Sequence, residues 1–380
     1  MHSLIPSFLI AAAISLVLQT NYRLSPELGV GEIGLALFIM YAITSCFATP
    51  ARTPSLREHP LPVLTLVYLL AIVLPVTALN AFYNTFGIEF RDLLAYLLCA
   101  LTIFALATQP ERTREIALLT LVITLALVSL QYLFGDIDTA WYALTRFTGG
   151  AKNPNQLALY LVCLTLITAI HVRRPLLKAG CFGLLVFFGL ASQSDAFLAY
   201  LALSMGILLL SLIVPSRFFL LVAPVTLLVL LLVGLWFLGD ITAMLGNQWS
   251  AADQGGSRFT LYVNGLQAWL DNPLTFVLGN GAGNFSGLHA PFQGWEAHNT
   301  PIDMLTIGGL LGFVAIYFFP VKCALDVYRL DQRLVFACTV GLIGFTFFHF
   351  VARHPIFWIT IFVLFQYIKD QQEIAKPCVA

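Results

Sequence analysis

The chain has 380 residues, 59% of them hydrophobic and 10% charged, where an ordinary soluble domain carries roughly 25% charged residues. Its formal net charge is zero and its mean hydropathy is +0.88. This composition excludes a water-soluble globule of this size, and the neutral balance offers no basic face for nucleic acid.

The chain opens with MHSLIPSFLIAAAISLVLQT, which lacks a Lys/Arg-bearing start and is followed by many more apolar segments. It reads as a first transmembrane helix that is not cleaved. Apolar segments then recur, so that twelve run at 4–19, 29–48, 62–79, 90–107, 116–134, 154–171, 175–191, 195–214, 217–238, 302–320, 333–350 and 355–368. Such lengths suit helices crossing a bilayer, which satisfy their own backbone, and exceed what barrel strands need. The expected fold is all-α: a polytopic transmembrane bundle of about 12 helices with one large, partly helical outer loop. Residues 1–238 would hold helices 1–9, residues 239–301 the loop, and residues 302–380 helices 10–12 with a short tail.

Basic residues orient the bundle. With both termini inside, the cytoplasmic side receives Arg52, Arg57, Arg112, Arg114, Arg173, Arg174, Lys178, Arg217, Lys322, Arg329, Arg333, Lys369 and Lys376. The outer side receives only Arg23, Arg91, Arg146, Lys152, Arg258 and Arg353. The seven cysteines (Cys46, Cys99, Cys163, Cys181, Cys323, Cys338 and Cys378) show no metal-ligand spacing and fall in helices or on the inner side.

The long loop carries Phe259, Tyr262, Leu266, Trp269 and Leu270 at helical spacing, stopped by Asp271, Asn272 and Pro273. An ordered outer subdomain with at least one helix is expected. A second outer loop, 135–153, holds Arg146 and leads into GGAKNPN. No repeat at a fixed period suggests a transporter built from duplicated halves.

The six outer cations stand where basic residues are depleted. Snorkelling at the interface accounts for some of them, Arg23 foremost. A phosphate ligand accounts for several together, because guanidinium forks match phosphate oxygens. His298 lies in GWEAHNTPIDMLTIGGLLG, just before the helix that returns to the membrane. A neutral imidazole there can take a proton from an attacking hydroxyl near pH 7, with Glu296 or Asp303 to orient or polarise it. The plainer reading is a histidine packed at a helix start, with Asn299 or Thr300 as the N-cap. His289, His349 and His354 also lie near the outer face. The run GNGAGNF lacks a strand–turn–helix setting and a Walker lysine, so it reads as a turn.

Four features together resemble the O-antigen ligase and polymerase superfamily of membrane glycan-joining enzymes. The outer loop runs through GGAKNPNQLALYL into a helix, and SRFTLYVNGLQAWLDNPLTFVLGNGAGNF is similar to that superfamily's Ser-Gly-Arg, apolar helix, Asn-Pro-Leu and Gly-x-Gly run. His298-Asn299 is followed by nine residues and then Gly309-Leu310-Leu311-Gly312, and one large outer loop precedes the tenth helix. The likeness spans roughly residues 146–320.

The resemblance implies that Arg258 contacts the diphosphate of a polyprenyl-linked glycan and that His298 is the base. The expected diphosphate site is completed by Arg146, Lys152, Arg91 and Arg353 with Asn153, Asn155 and Asn299, while Glu296 and Asp303 support the histidine. No metal and no cofactor is expected. The chain departs from the pattern at Ser192-Gln193-Ser194-Asp195, where members often carry Ser-Arg: either another cation such as Arg91, Arg146 or Arg353 substitutes there, or this segment has a different job.

The implied activity is transfer of a surface polysaccharide from undecaprenyl diphosphate to a lipid A-core hydroxyl, at the periplasmic face of a bacterial inner membrane. A polymerase joining lipid-linked repeats is the alternative, with a protein oligosaccharyltransferase further off. A transporter or flippase would put ionisable groups in mid-membrane, whereas these helix centres are nearly free of charge.

Overall fold

A computed structural model of the chain describes residues 4–25, 28–49, 53–55, 57–83, 89–214 and 254–375. Among the described residues the architecture is all-α apart from one two-stranded ribbon. The first half contains α1 (Leu4–Leu16), α2 (Val30–Ala48), α3 (Pro60–Tyr68), α4 (Leu74–Tyr83), α5 (Glu89–Ala107) and α6 (Thr113–Phe134). A π-helical turn, Leu69–Val73, joins α3 to α4 without a break. The short α7 (Ile137–Ala140) leads into the antiparallel strands β1 (Trp141–Tyr142) and β2 (Arg146–Phe147). Then come α8 (Pro154–His171), α9 (Pro175–Ala191) and α10 (Asp195–Ile213). After residues outside the description follow α11 (Gln254–Leu270), α12 (Pro273–Leu278), α13 (Thr300–Arg329), α14 (Arg333–Phe345) and α15 (Pro355–Ala375).

Among the described residues, seven helices are long and apolar enough to cross a membrane. Helices α1, α9 and α14 are apolar but shorter. The expected segment at 217–238 lies outside the described residues, as do Arg52, Arg217, Lys376 and Cys378. Phe47, Phe134 and Leu176 are 84%, 81% and 88% exposed. Outward side chains of that kind suit a hydrocarbon solvent rather than water. Helix α8 is the axis of the bundle: its spanning window is 78% buried, and it packs against α6, α9, α10, α14 and α15. Having no polar face to present, it folds only with apolar neighbours on every side.

Short polar and proline motifs set the helix starts. Pro154 stands at the start of α8, where its missing N–H costs nothing, and the Asn153 side chain accepts the Asn155 N–H. Ser194 caps α10 through Phe197 N–H, and Asn299 caps α13 through Ile302 N–H. Helix α11 contains the spaced aromatic and aliphatic residues and ends at Leu270. Asn272 then opens α12 with a capping box shared with Thr275.

Helix α13 is broken at Gly309, whose φ of 61° and ψ of −159° belong to glycine. The loop GNGAGNF closes that break. Asn280 and Gly281 donate their N–H groups to the carbonyls of Thr306 and Ile307 at 2.8 and 2.9 Å. A Cβ on Gly279 would lie 2.4 Å from Gly308 N and one on Gly309 2.6 Å from Gly279 N, so the two backbones meet only because Gly279 and Gly309 lack side chains. The loop is also tied to α4, where Thr77 Oγ1 accepts from Ala282 N at 2.9 Å and Asn80 donates to the Asn280 carbonyl. The glycine run is therefore a loop, as its sequence suggests, with a specific task in the helix it faces.

Candidate functional site

His298 sits one residue before the cap of α13, with φ of 54°, a conformation uncommon outside glycine. Two carboxylates hold it there. Asp303, buried in the first turn of α13, accepts from Ala297 N at 2.7 Å and Asn299 N at 3.1 Å, so the amides on both sides of His298 are fixed. Glu296 takes the ring instead: its Oε1 lies 2.6 Å from His298 Nδ1. The two acids that sequence reasoning treated as interchangeable thus do separate jobs.

Glu296 also meets Arg353 from the turn before α15, with Nη2 to Oε2 at 2.6 Å. Arg353 Nη1 reaches the buried Asp92 of α5 at 3.4 Å, and Arg91 approaches the same carboxylate at 3.8 Å. Burial alone would push the Glu296 carboxyl up. The Arg353 guanidinium, then His298, outweigh it and hold the group down at about 2. Charge-assisted pairs of this geometry are strong, and removing one member leaves the other uncompensated.

His298 also lines a cavity of about 310 Å³. Its polar wall is Arg146, Lys152, Asn153, Asn155, Arg258 and His298, and its apolar wall is Tyr142, Pro154, Leu261, Phe292 and Trp295. Residues 112 positions apart in sequence, Arg146 and Arg258, thereby face one space. The strand pairing puts Tyr142 opposite Arg146, while Trp141 and Phe147 turn inward onto Tyr132. Arg146 Nη2 and Nε donate to the carbonyls of Gln193 and Ser192 at 2.9 and 3.3 Å. A guanidinium therefore does stand at the Ser192–Asp195 segment, supplied from another part of the chain. Asp195 itself is exposed and does not line the cavity.

The N-terminal arm supports the opposite wall. Thr20 Oγ1 accepts from Lys152 N at 2.7 Å, Asn21 N donates to the Gly150 carbonyl at 2.9 Å, and Ser194 Oγ donates to Asn155 Oδ1 at 2.6 Å. Gly150 has φ of 83°, and a Cβ there would strike the Gln19 side chain.

Among the described residues, Arg146, Lys152 and Arg258 form no ion pair, and all three line the cavity. The other three cations expected on the outer side are matched by carboxylates: Arg23 by Glu32, Arg91 by Asp92, Arg353 by Glu296 and Asp92. Arg91 and Arg353 lie off the cavity, as does Asn299, whose amide caps α13 and donates to the Phe347 carbonyl at 2.8 Å. Three cations without a carboxylate partner around one concave space can attract an anion, and an imidazole in the same lining can take up a proton.

Sequence reasoning did not single out Tyr142, Phe292, Trp295 or Asp92. The aromatic residues lie in loops without helical or strand periodicity, and Asp92 looks like a residue at the end of a helix. His289 is elsewhere, with Nε2 3.1 Å from Asp271. No protein-family model and no curated protein matches this chain.

Proposed function

We propose that the chain is a metal-independent membrane glycosyltransferase, a ligase that moves a surface polysaccharide from undecaprenyl diphosphate onto a lipid A-core hydroxyl. The observation that carries this reading is the convergence of Arg146, Lys152, Arg258 and His298 on one cavity, while the other outward cations are neutralised. The bundle has about twelve spans in a bacterial inner membrane, with both termini cytoplasmic. The cavity and the 239–301 loop then face the periplasm, as the asymmetry of basic residues supports.

Arg258 and Arg146 bind the diphosphate as forks, Lys152 as a point charge, and Asn153 and Asn155 complete the polar wall. The acceptor oxygen attacks the anomeric carbon, and the bond from that carbon to the diphosphate oxygen breaks. His298 takes the hydroxyl proton, with Glu296 stabilising the imidazolium that forms. The three cations stabilise the negative charge gathering on the departing diphosphate. The energy resides in the donor, so no nucleotide is consumed. A single displacement inverts the anomeric centre, which product NMR reads directly.

A surface-glycan gel from a deletion strain complemented with wild type, His298→Ala or Arg258→Ala tests this. Wild type restores polymer on lipid A-core, and both variants insert normally yet leave long lipid-linked chains unattached. Products one repeat long would make the chain a polymerase, and full activity from His298→Ala would remove the base.

A further inference from the structure

The apolar wall of the cavity has a feature that anion binding leaves unexplained. Trp295 is 63% exposed and Tyr142 51% exposed, yet both line the cavity beside its cations. The backbone under Trp295 is held firmly. Its N–H donates to the Phe292 carbonyl and to Ser286 Oγ, both at 3.1 Å, and Ser286 Oγ donates to the Phe292 carbonyl at 2.5 Å. Asn264 of α11 pins the same loop through the Pro291 carbonyl at 2.5 Å, and Phe292 is held in the left-handed region with φ of 72°. Phe292 packs against the Trp295 ring at 5.9 Å between centroids, buttressing it from one side. Tyr142 is fixed in its turn by pairing with Arg146 across the ribbon.

We propose that Trp295 and Tyr142 are the stacking walls for the first pyranose ring of the donor, the sugar whose anomeric carbon bears the diphosphate. The inference rests on the diphosphate reading of the same cavity and goes beyond it by assigning the sugar subsite. A pyranose presents a face of axial C–H groups, which an aromatic ring covers well, and a rim of hydroxyls that polar side chains satisfy. A rigidly mounted, solvent-facing indole next to phosphate-binding cations has the chemistry for a sugar diphosphate. A bare anion would leave both rings wet. The assignment puts the cations at the diphosphate, the aromatic faces on the sugar and His298 at the join, and all of these residues line the one cavity.

The test uses the full chain in nanodiscs and two soluble probes, farnesyl diphosphate and farnesyl-diphospho-N-acetylglucosamine. Wild type binds the sugar-bearing probe more tightly, by roughly tenfold, as expected for about 1.4 kcal/mol of aromatic contact. Trp295→Ala loses that increment while binding farnesyl diphosphate unchanged, Trp295→Phe retains most of it, and Tyr142→Ala loses part of it. Arg258→Ala weakens both probes alike. If the sugar adds nothing in wild type, or Trp295→Ala keeps the full increment, the subsite is overturned and the rings are ordinary interfacial aromatics. If neither probe binds wild type, the diphosphate reading falls and the subsite with it.

Discussion

At the scale of single residues, the site depends on how His298 is held. Its left-handed backbone is maintained by Asp303 on both flanking amides and its ring by Glu296. Glu296 in turn depends on Arg353, which gives a pH signature. Burial raises this carboxyl and Arg353, with His298, lowers it, leaving it at about 2. A carboxyl held low contributes stability that is complete above its ordinary value, near 4.3, and fades as pH falls towards about 2. Wild type should therefore lose nothing from this group between pH 7 and pH 5. In Arg353→Met the burial cost loses its chief counter-charge, so the carboxyl rises instead and its ionisation costs stability at neutral pH. Thermal melts in detergent should show that variant well below wild type at pH 7 and recovering several degrees relative to wild type between pH 7 and pH 5, as the buried carboxyl takes up its proton. Equal pH dependence in the two proteins would mean that Arg353 does not set the charge of Glu296.

Sequence reasoning picked His298, Glu296, Asp303 and the cations expected on the outer side as candidates by residue type and place. It did not separate the roles of the two acids, because spacing of two and five residues says nothing about whether a carboxylate meets a ring or an amide. Nor did it distinguish Arg353 from Arg146. Both are outward arginines in sequence, and only the fold shows that one is neutralised by Glu296 and Asp92 while the other faces the cavity.

At the scale of elements, the break in α13 decides where the histidine sits. The first half of the helix, from Thr300 to Gly308, carries Asp303 and is capped by Asn299 immediately after His298. The glycine loop clamps that half from the far end, at Thr306 and Ile307. At Gly309 a Cβ would lie 2.4 Å from the Val277 backbone and the φ is positive, so Gly309→Ala meets both a clash and strain. The expected cost is about 3 kcal/mol or more, read as a lower melting temperature and a reduced monodisperse yield on size exclusion. A variant as stable as wild type would show that the break is not constrained by the loop.

The helices themselves were the most legible part, because apolar runs of about 20 residues and the Asn-Pro starts are local signals. The stop at Asp271-Asn272-Pro273 and the helix before it were readable for the same reason. The π-helical turn at Leu69–Val73, the strand ribbon and the break at Gly309 were not. They follow from tertiary contacts that periodicity does not encode: Tyr68 against Gly308, Tyr142 against Arg146, Gly279 against Gly309.

At the scale of the whole molecule, charge is scarce and its placement is informative. Nineteen basic and nineteen acidic residues cancel overall. Yet three cations converge on one cavity with no carboxylate paired to them among the described residues. Uncompensated charge gathered in one cavity of an apolar bundle is the observation on which the proposed anion binding rests. The central α8 holds the walls together, since its N-terminus carries Asn153 and Asn155 into the cavity while its length is buried among five other helices.

The most direct test of this account is a reconstituted transfer reaction with purified protein, a polyprenyl-diphosphate-linked glycan and a lipid A-core acceptor, following release of free polyprenyl diphosphate. The account predicts release that requires the acceptor, equals the glycan transferred, and falls by at least a hundredfold in His298→Ala, the lower range for a lost general base. Release without acceptor, or turnover in His298→Ala at the wild-type rate, would contradict it.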